Sequence, residues 1–153
     1  MKKLAVILLV LALCCGCAAA EDTELSAFLG QPFSALKAAV PECEVDGDCL
    51  YSEDDSLYAS QSETSDITDF ICLSGKGYSL FGLTTGMKPE EIMAAVSAAG
   101  LIIEEDSIEA EGLLFAMSED DALFVSVEFE NGVSTIVGAE IDLEAALYED
   151  SED

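Results

Sequence analysis

A block of ten residues occurs twice in this chain. Tyr51–Ser60 reads YSEDDSLYAS and Met117–Ser126 reads MSEDDALFVS, identical at six of ten positions at an offset of 66. Two further blocks keep the same order around it. Gly30, Ala38, Ala39 and Val40 match Gly86, Ala94, Ala95 and Val96 at an offset of 56, and Ile67, Ile71 and Leu73 fall on Val133, Val137 and Ala139 at 66. Recurrence at a fixed spacing marks units that stack on one another. The expectation is an α+β fold of two tandem helix-plus-antiparallel-meander repeats, with the helices packed on one face of the sheet. Chance similarity in an acidic, alanine-rich chain is the alternative.

The periodicities place the elements. Leu25, Phe28 and Leu29 make one amphipathic turn; Pro32 opens a helix that carries Phe33, Leu36 and Val40, and Pro41 stops it. Strands follow over Cys43–Val45 and Asp48–Ser52, turning at Asp46-Gly47, then over Ser56–Ser60, Ile67–Leu73 and Tyr78–Leu83. Thr85 is expected near the N-cap of a second helix, with Pro89 in its first turn and Gly100 at its end, and Leu101–Glu104 as a strand. In the last meander Leu113, Phe115 and Met117 alternate, as do Leu123–Phe129 and Val133–Ile141. A three-residue loop, Glu130-Asn131-Gly132, is expected there. It pairs Phe129 with Val133 and gathers the apolar residues on one face, leaving Phe124, Ser126, Glu128, Ser134 and Glu140 on the other.

The N-terminus reads as an export signal. Lys2 and Lys3 precede the apolar run Leu4–Leu13, too short to span a hydrocarbon core that needs about 20 residues. Gly16-Cys17 closes it. This ending resembles the signal of bacterial lipoproteins, in which a small residue precedes the acylated cysteine. The resemblance implies cleavage after Gly16 and lipid attachment at Cys17; an ordinary secretory signal cut after Ala18, Ala19 or Ala20 is the alternative. The expected organisation is a signal over 1–16, a tether over 17–24, one domain over 25–148 (halves of about 25–83 and 84–142) and an acidic tail over 149–153.

The run Gly86-Met87-Lys88-Pro89-Glu90-Glu91-Ile92, followed by an antiparallel meander, resembles the SmpA/BamE-like lipoproteins and the tandem-repeat beta-lactamase-inhibitory-protein fold. The resemblance implies an exported binding or assembly domain and carries over no functional residue.

Charge narrows the function. The chain has 32 Asp and Glu against five lysines, with no arginine and no histidine; removal of Lys2 and Lys3 with the signal takes the formal charge from −27 to −29. A nucleic-acid partner needs a basic surface and is excluded. An acidic domain does not adsorb to anionic lipid, so the membrane contact is expected through lipid on Cys17. Triads and histidine metal sites lack their residues. Ser74 and Lys76 flank glycines in a turn that looks exposed, whereas a Ser–Lys nucleophile needs a desolvated lysine. No catalytic residue and no cofactor is expected, and the carboxylate pairs a hydrolase would use arise freely among 32 acids. Asp46-Gly47-Asp48, Glu53-Asp54-Asp55 and Glu119-Asp120-Asp121 are oxygen-rich but do not match a calcium loop.

If Cys17 is acylated, three cysteines remain. Cys43 and Cys49 flank one hairpin and are the pair expected to bridge, with three partly buried thiols as the alternative; Cys49 is expected inward with Tyr51, and Cys72 outward. The expected function is that of a lipid-anchored, non-catalytic protein-binding or scaffolding module. It would sit on the outer face of the cytoplasmic membrane, or on the outer membrane if the cell has one. A calcium-binding lipoprotein is the alternative and a carboxylate hydrolase the third reading.

Overall fold

The computed structural model describes residues 22–104 and 112–143. The expected signal, Cys17 and the expected acidic tail lie outside them. Among the described residues the elements follow in the order β1 (Thr23–Glu24), a 3-10 helix (Ser26–Phe28), α1 (Phe33–Ala39), β2 (Glu44–Asp46), β3 (Cys49–Tyr51), β4 (Leu57–Gln61), β5 (Thr68–Leu73), β6 (Tyr78–Ser79), α2 (Pro89–Ala98), β7 (Ile102–Ile103), β8 (Leu113–Met117), β9 (Leu123–Glu130) and β10 (Val133–Ile141).

Eight strands make one antiparallel sheet in the order β2-β3-β4-β5-β10-β9-β8-β7. The seam is the antiparallel pair β5–β10, with Cys72 opposite Gly138. From that seam the sheet reads β4, β3, β2 in one direction and β9, β8, β7 in the other. The α+β class is therefore met, with sheet predominating over helix.

Alternation gives the sheet one buried face. Leu50, Leu57, Ala59, Ile71 and Leu73 enter the core from one half, and Leu114, Ala116, Val125, Val127, Val137 and Ala139 from the other. Leu36 and Val40 of the α1 segment and Ile92 and Val96 of α2 join the same cluster. The helix spacing read from the sequence thus picks out the buried stripe of the α1 segment, Phe33, Leu36 and Val40, and of the stripe Ile92, Val96 and Ala99 in the second helix it holds for the first two, Ala99 being exposed. α2 begins after Lys88, whose N–H donates to the Glu91 carboxylate at 2.8 Å, and Pro89 takes the first helical position. Thr85, expected near the cap, instead donates its hydroxyl to the Gly75 carbonyl.

Several expectations are corrected. Thr23 and Glu24, placed in the tether, form a parallel pair with Tyr78 and Ser79, and Leu25 behind them is fully buried. The strand expected over Tyr78–Leu83 is only two residues long. Leu80 turns back onto Leu83 through Phe81 and Gly82, both at positive φ.

The β9–β10 loop has two residues, not three: Glu130 pairs with Val133, and Asn131 (φ 55°) and Gly132 (φ 81°) take the left-handed angles of a tight hairpin turn. A bulge at Thr135 then shifts the register, so that Ser134 faces Phe129 while Val137 faces Val127. Ser134 and Val137, three apart, are both buried as a result, and Ser134 leaves the solvent face on which it was expected. β5 carries the same device at Asp69, between Thr68 and Phe70.

Faces are also reversed in two strands. Tyr51 pairs with Tyr58, so Leu50 points inward and Cys49 and Tyr51 outward. In β8 all five residues are apolar and alternation alone is undecided; pairing with Val127 and Val125 turns Leu114 and Ala116 inward and leaves Phe115 outside.

Candidate functional site

Among the described residues no helix of the core cluster packs on the second face of the sheet, and the register lays out its side chains in rows. One row runs Tyr51, Tyr58, Cys72, Gly138, Ser126, Phe115 from β3 to β8. The next runs Cys49, Ser60, Phe70, Glu140, Phe124, Met117. Tyr58 is 41% exposed, and Phe115 and Phe124 are 42% each. The Tyr58 and Phe70 rings are tilted at 58° with centroids 6.1 Å apart. Large half-exposed rings on a solvent-facing sheet are the feature that asks for an explanation, whereas a lone exposed leucine would not be.

The acidic turns have a structural use. Asp54 accepts from the Ser52 hydroxyl (2.8 Å) and the Ser56 N–H (3.1 Å), and Ser52 Oγ in turn accepts from the Leu57 N–H. Asp120 repeats the pattern with the Ser118 hydroxyl and the Ala122 N–H, and Ser118 Oγ accepts from Leu123. Asp55 and Asp121, next along, both stand at φ near +58°, at 58° and 57°. Hydrogen bonds from Ser56 and Ser52 hold the Asp54 carboxyl down at about 2. Among the described residues no group of three or more His, Cys, Asp and Glu could hold a metal ion.

Ser74 and Lys76 do not form a nucleophile pair: the Ser74 hydroxyl donates to the Asp55 carbonyl, while Lys76 lines a hollow with Glu42, Glu53, Asp54 and Tyr78.

The three described cysteines are free. The Cys43–Cys49 bridge expected from the sequence is not formed, because the two sit on opposite sides of the sheet. Cys43 is buried in the core with its sulfur 3.9 Å from the Tyr78 hydroxyl, and burial pushes its thiol up. Cys49 is on the open face, 3.1 Å from the Tyr58 hydroxyl. Cys72 lies outward as expected, and burial raises its thiol too.

Sequence reading missed the rings as a group. Alternation in the sequence puts Phe124 outside but Phe115 inside, and it does not single out Phe70 or Gly138. The repeat itself held the signal for Phe115. At the offset of 66 Leu50 corresponds to Ala116, so a buried Leu50 turns Phe115 outward.

No protein-family model matches the sequence, and no curated protein is significantly similar to it. A solved structure with a similar chain course is a cysteine-rich secretory protein from Staphylococcus aureus, at 12% identity and a TM-score of 0.49 over 82% of this chain. This chain spans about half the length of that protein, 52% of it.

Proposed function

We propose that this chain is an exported bacterial lipoprotein, acylated on Cys17, whose domain is a non-catalytic module that binds a protein of the cell envelope through the open face of its sheet. The observation that carries the binding claim is the set of half-exposed rings on that face, Tyr58, Phe115 and Phe124. Aromatic side chains bury large areas at little entropic cost and are the usual anchors of protein interfaces. The anchor claim rests on Gly16-Cys17 after a short apolar run, and among the described residues no helix is long and apolar enough to cross a membrane.

The domain is read as two tandem helix-plus-meander repeats with the helices on one face of the sheet. Support comes from backbone bonds that recur in both halves. Gly30 donates to Thr68 and Thr68 to Gln31; Gly86 donates to Ser134 and Ser134 to Met87. The Ser52–Leu57 and Ser118–Leu123 turns share their pattern as well. The β9–β10 register differs from that of β4–β5 by two residues, an even slip that keeps every side chain on its face. Joining β5 of one half to β10 of the other leaves a broad, continuous sheet face.

Two measurements test this. Intact mass of the membrane-extracted protein is expected to give a chain beginning at an acylated Cys17; an unmodified Cys17, or a start at Glu21, removes the lipoprotein claim. Affinity capture from envelope extracts is expected to recover a partner with the wild-type chain and to lose it when Phe115 and Phe124 are both changed to serine. Capture that ignores this double change rules out the open face.

A further inference from the structure

On the open face Glu140 of β10 stands directly opposite two phenylalanines, Phe70 on β5 and Phe124 on β9. The next outward position along β10 is Gly138, where the neighbouring side chains close in on the backbone. A Cβ there would lie 2.9 Å from Ser126 Oγ and 3.7 Å from the end of the Phe70 ring. Phe115 follows beyond Ser126 in the same row. These six residues line a groove of about 250 Å³. Its floor is glycine and serine, its walls are three rings, and one carboxylate stands at its edge.

Both kinds of wall favour the same ligand. Ring faces carry a negative quadrupole that attracts a cation, and a carboxylate adds a formal charge with hydrogen-bond acceptors. An anion meets repulsion from both. A neutral apolar group would leave the Glu140 charge without a new partner. The described lysines are Lys37 on α1, Lys76 in the β5–β6 turn and Lys88 before α2, none of them on a strand of the sheet. No described lysine is therefore placed on the sheet beside the groove.

We infer that this groove receives a lysine or arginine side chain from an extended basic segment of the partner protein. This rests on the protein-binding reading above and gives that partner its chemistry. A chain with 32 acids and no arginine draws a basic segment from a distance, and that attraction speeds encounter without choosing a site. The groove supplies the choice, since it is where rings and carboxylate converge on one point.

The test uses the full acylated chain in detergent micelles. The probe is a blocked five-residue peptide of alternating glycine and arginine, followed by fluorescence anisotropy at about 0.15 M salt, where surface charges beyond about 8 Å are screened. Glu140→Gln and Phe124→Leu are each expected to weaken binding about fivefold, the scale of one cation–π or charge-assisted contact. Glu90→Gln, an exposed acid on α2, is expected to change it less than about twofold by the same reasoning. Phe124→Leu leaves the net charge intact, so its loss separates the groove from diffuse attraction. Thermal melts confirm that each variant is folded.

Equal effects from all three variants, or none from Phe124→Leu, overturn the inference. So does tetramethylammonium binding as tightly as the peptide, which would make the occupant a small quaternary ammonium compound. Envelope capture that proceeds undiminished with Glu140→Gln sinks the groove and leaves the protein-binding reading in place. A wild-type chain that holds the peptide in the groove but captures no protein does the reverse.

Discussion

Asp54 and Asp120 hold the same station in two turns 66 residues apart, each accepting a serine hydroxyl from two residues before it and a backbone N–H from two residues after. Both carboxyls are lowered by those bonds, Asp54 to about 2 from an ordinary 3.8. A folded value below the unfolded one means stability that is present above about pH 4 and lost as pH falls toward 2. Asp54→Ala and Asp120→Ala are each expected to lower Tm at pH 7, with the gap from wild type closing between pH 4 and pH 2. A gap that persists undiminished at pH 2 would mean that the carboxylate is not the source.

The repeated Ser-Glu-Asp-Asp turns explain how much of this fold was legible beforehand. Helix stripes were readable because Leu36 and Val40, or Ile92 and Val96, recur at a spacing only one face of a helix can satisfy. Strand existence was readable for the same kind of reason. Strand parity was not, where it depended on a partner: LLFAM in β8 is apolar at every position, and only its pairing with β9 chooses Leu114 over Phe115. The bulge at Thr135 was equally hidden, because it is a property of two strands and a turn together. The three rings around Glu140 come from three different strands, so no sequence window could contain them. What composition carried was the overall sign of the charge, set by 32 acids against five lysines.

Ser134 and Thr68 stand at matching positions but use their hydroxyls differently, and substitution should expose this. Ser134 is buried; its hydroxyl accepts from the Met87 N–H at 3.0 Å and donates to the Thr84 carbonyl at 2.9 Å. Ser134→Ala leaves two backbone groups unpaired and is expected to cost about 2 kcal/mol. Thr68 Oγ1 is buried with no hydrogen-bond partner among the described residues. Thr68→Val keeps the shape and removes an unsatisfied hydroxyl, so it is expected to be neutral or stabilising by about 1 kcal/mol. Urea unfolding of both variants checks the pair; a larger loss for Thr68→Val than for Ser134→Ala would contradict the assignment.

Thiol labelling should rank the cysteines by environment. Cys43 is in the core with its thiol raised by burial, Cys72 is half-buried with its thiol raised likewise, and Cys49 sits on the open face beside Tyr58. Thiolate fraction and access set the rate of alkylation. In the folded protein without reductant Cys49 is expected to react first and Cys43 last, with all three labelled after unfolding. A product from the unfolded chain in which Cys43 and Cys49 both resist label until reduced would establish the bridge instead.

Glu24 ties the Thr23–Leu25 segment to the domain, and its removal should loosen that segment. Its carboxylate accepts from the Phe81 N–H (2.9 Å), the Gly82 N–H (3.0 Å) and the Ser79 hydroxyl (2.8 Å), across the turn that ends β6. It also accepts the N–H and hydroxyl of Ser26. Partial burial opposes the charge, and the bonds from Ser26, Gly82 and Ser79 outweigh it, bringing the carboxyl from 4.5 down to about 2. Water competes for so exposed a group, and Glu24→Ala is therefore expected to cost only about 1 kcal/mol. The contribution is complete above pH 4.5 and fades as pH falls toward 2, so wild type and Glu24→Ala should converge there. Hydrogen exchange localises the effect: the Thr23 and Leu25 amides, bonded to Gly77 and Ser79, should exchange faster in Glu24→Ala while those of β9 and β10 change little. Thr23 and Glu24 precede every strand of the main sheet in the chain, so this clasp is the first pairing the described residues make. Unchanged exchange at Leu25 would show that burial of its side chain, rather than Glu24, holds the segment down.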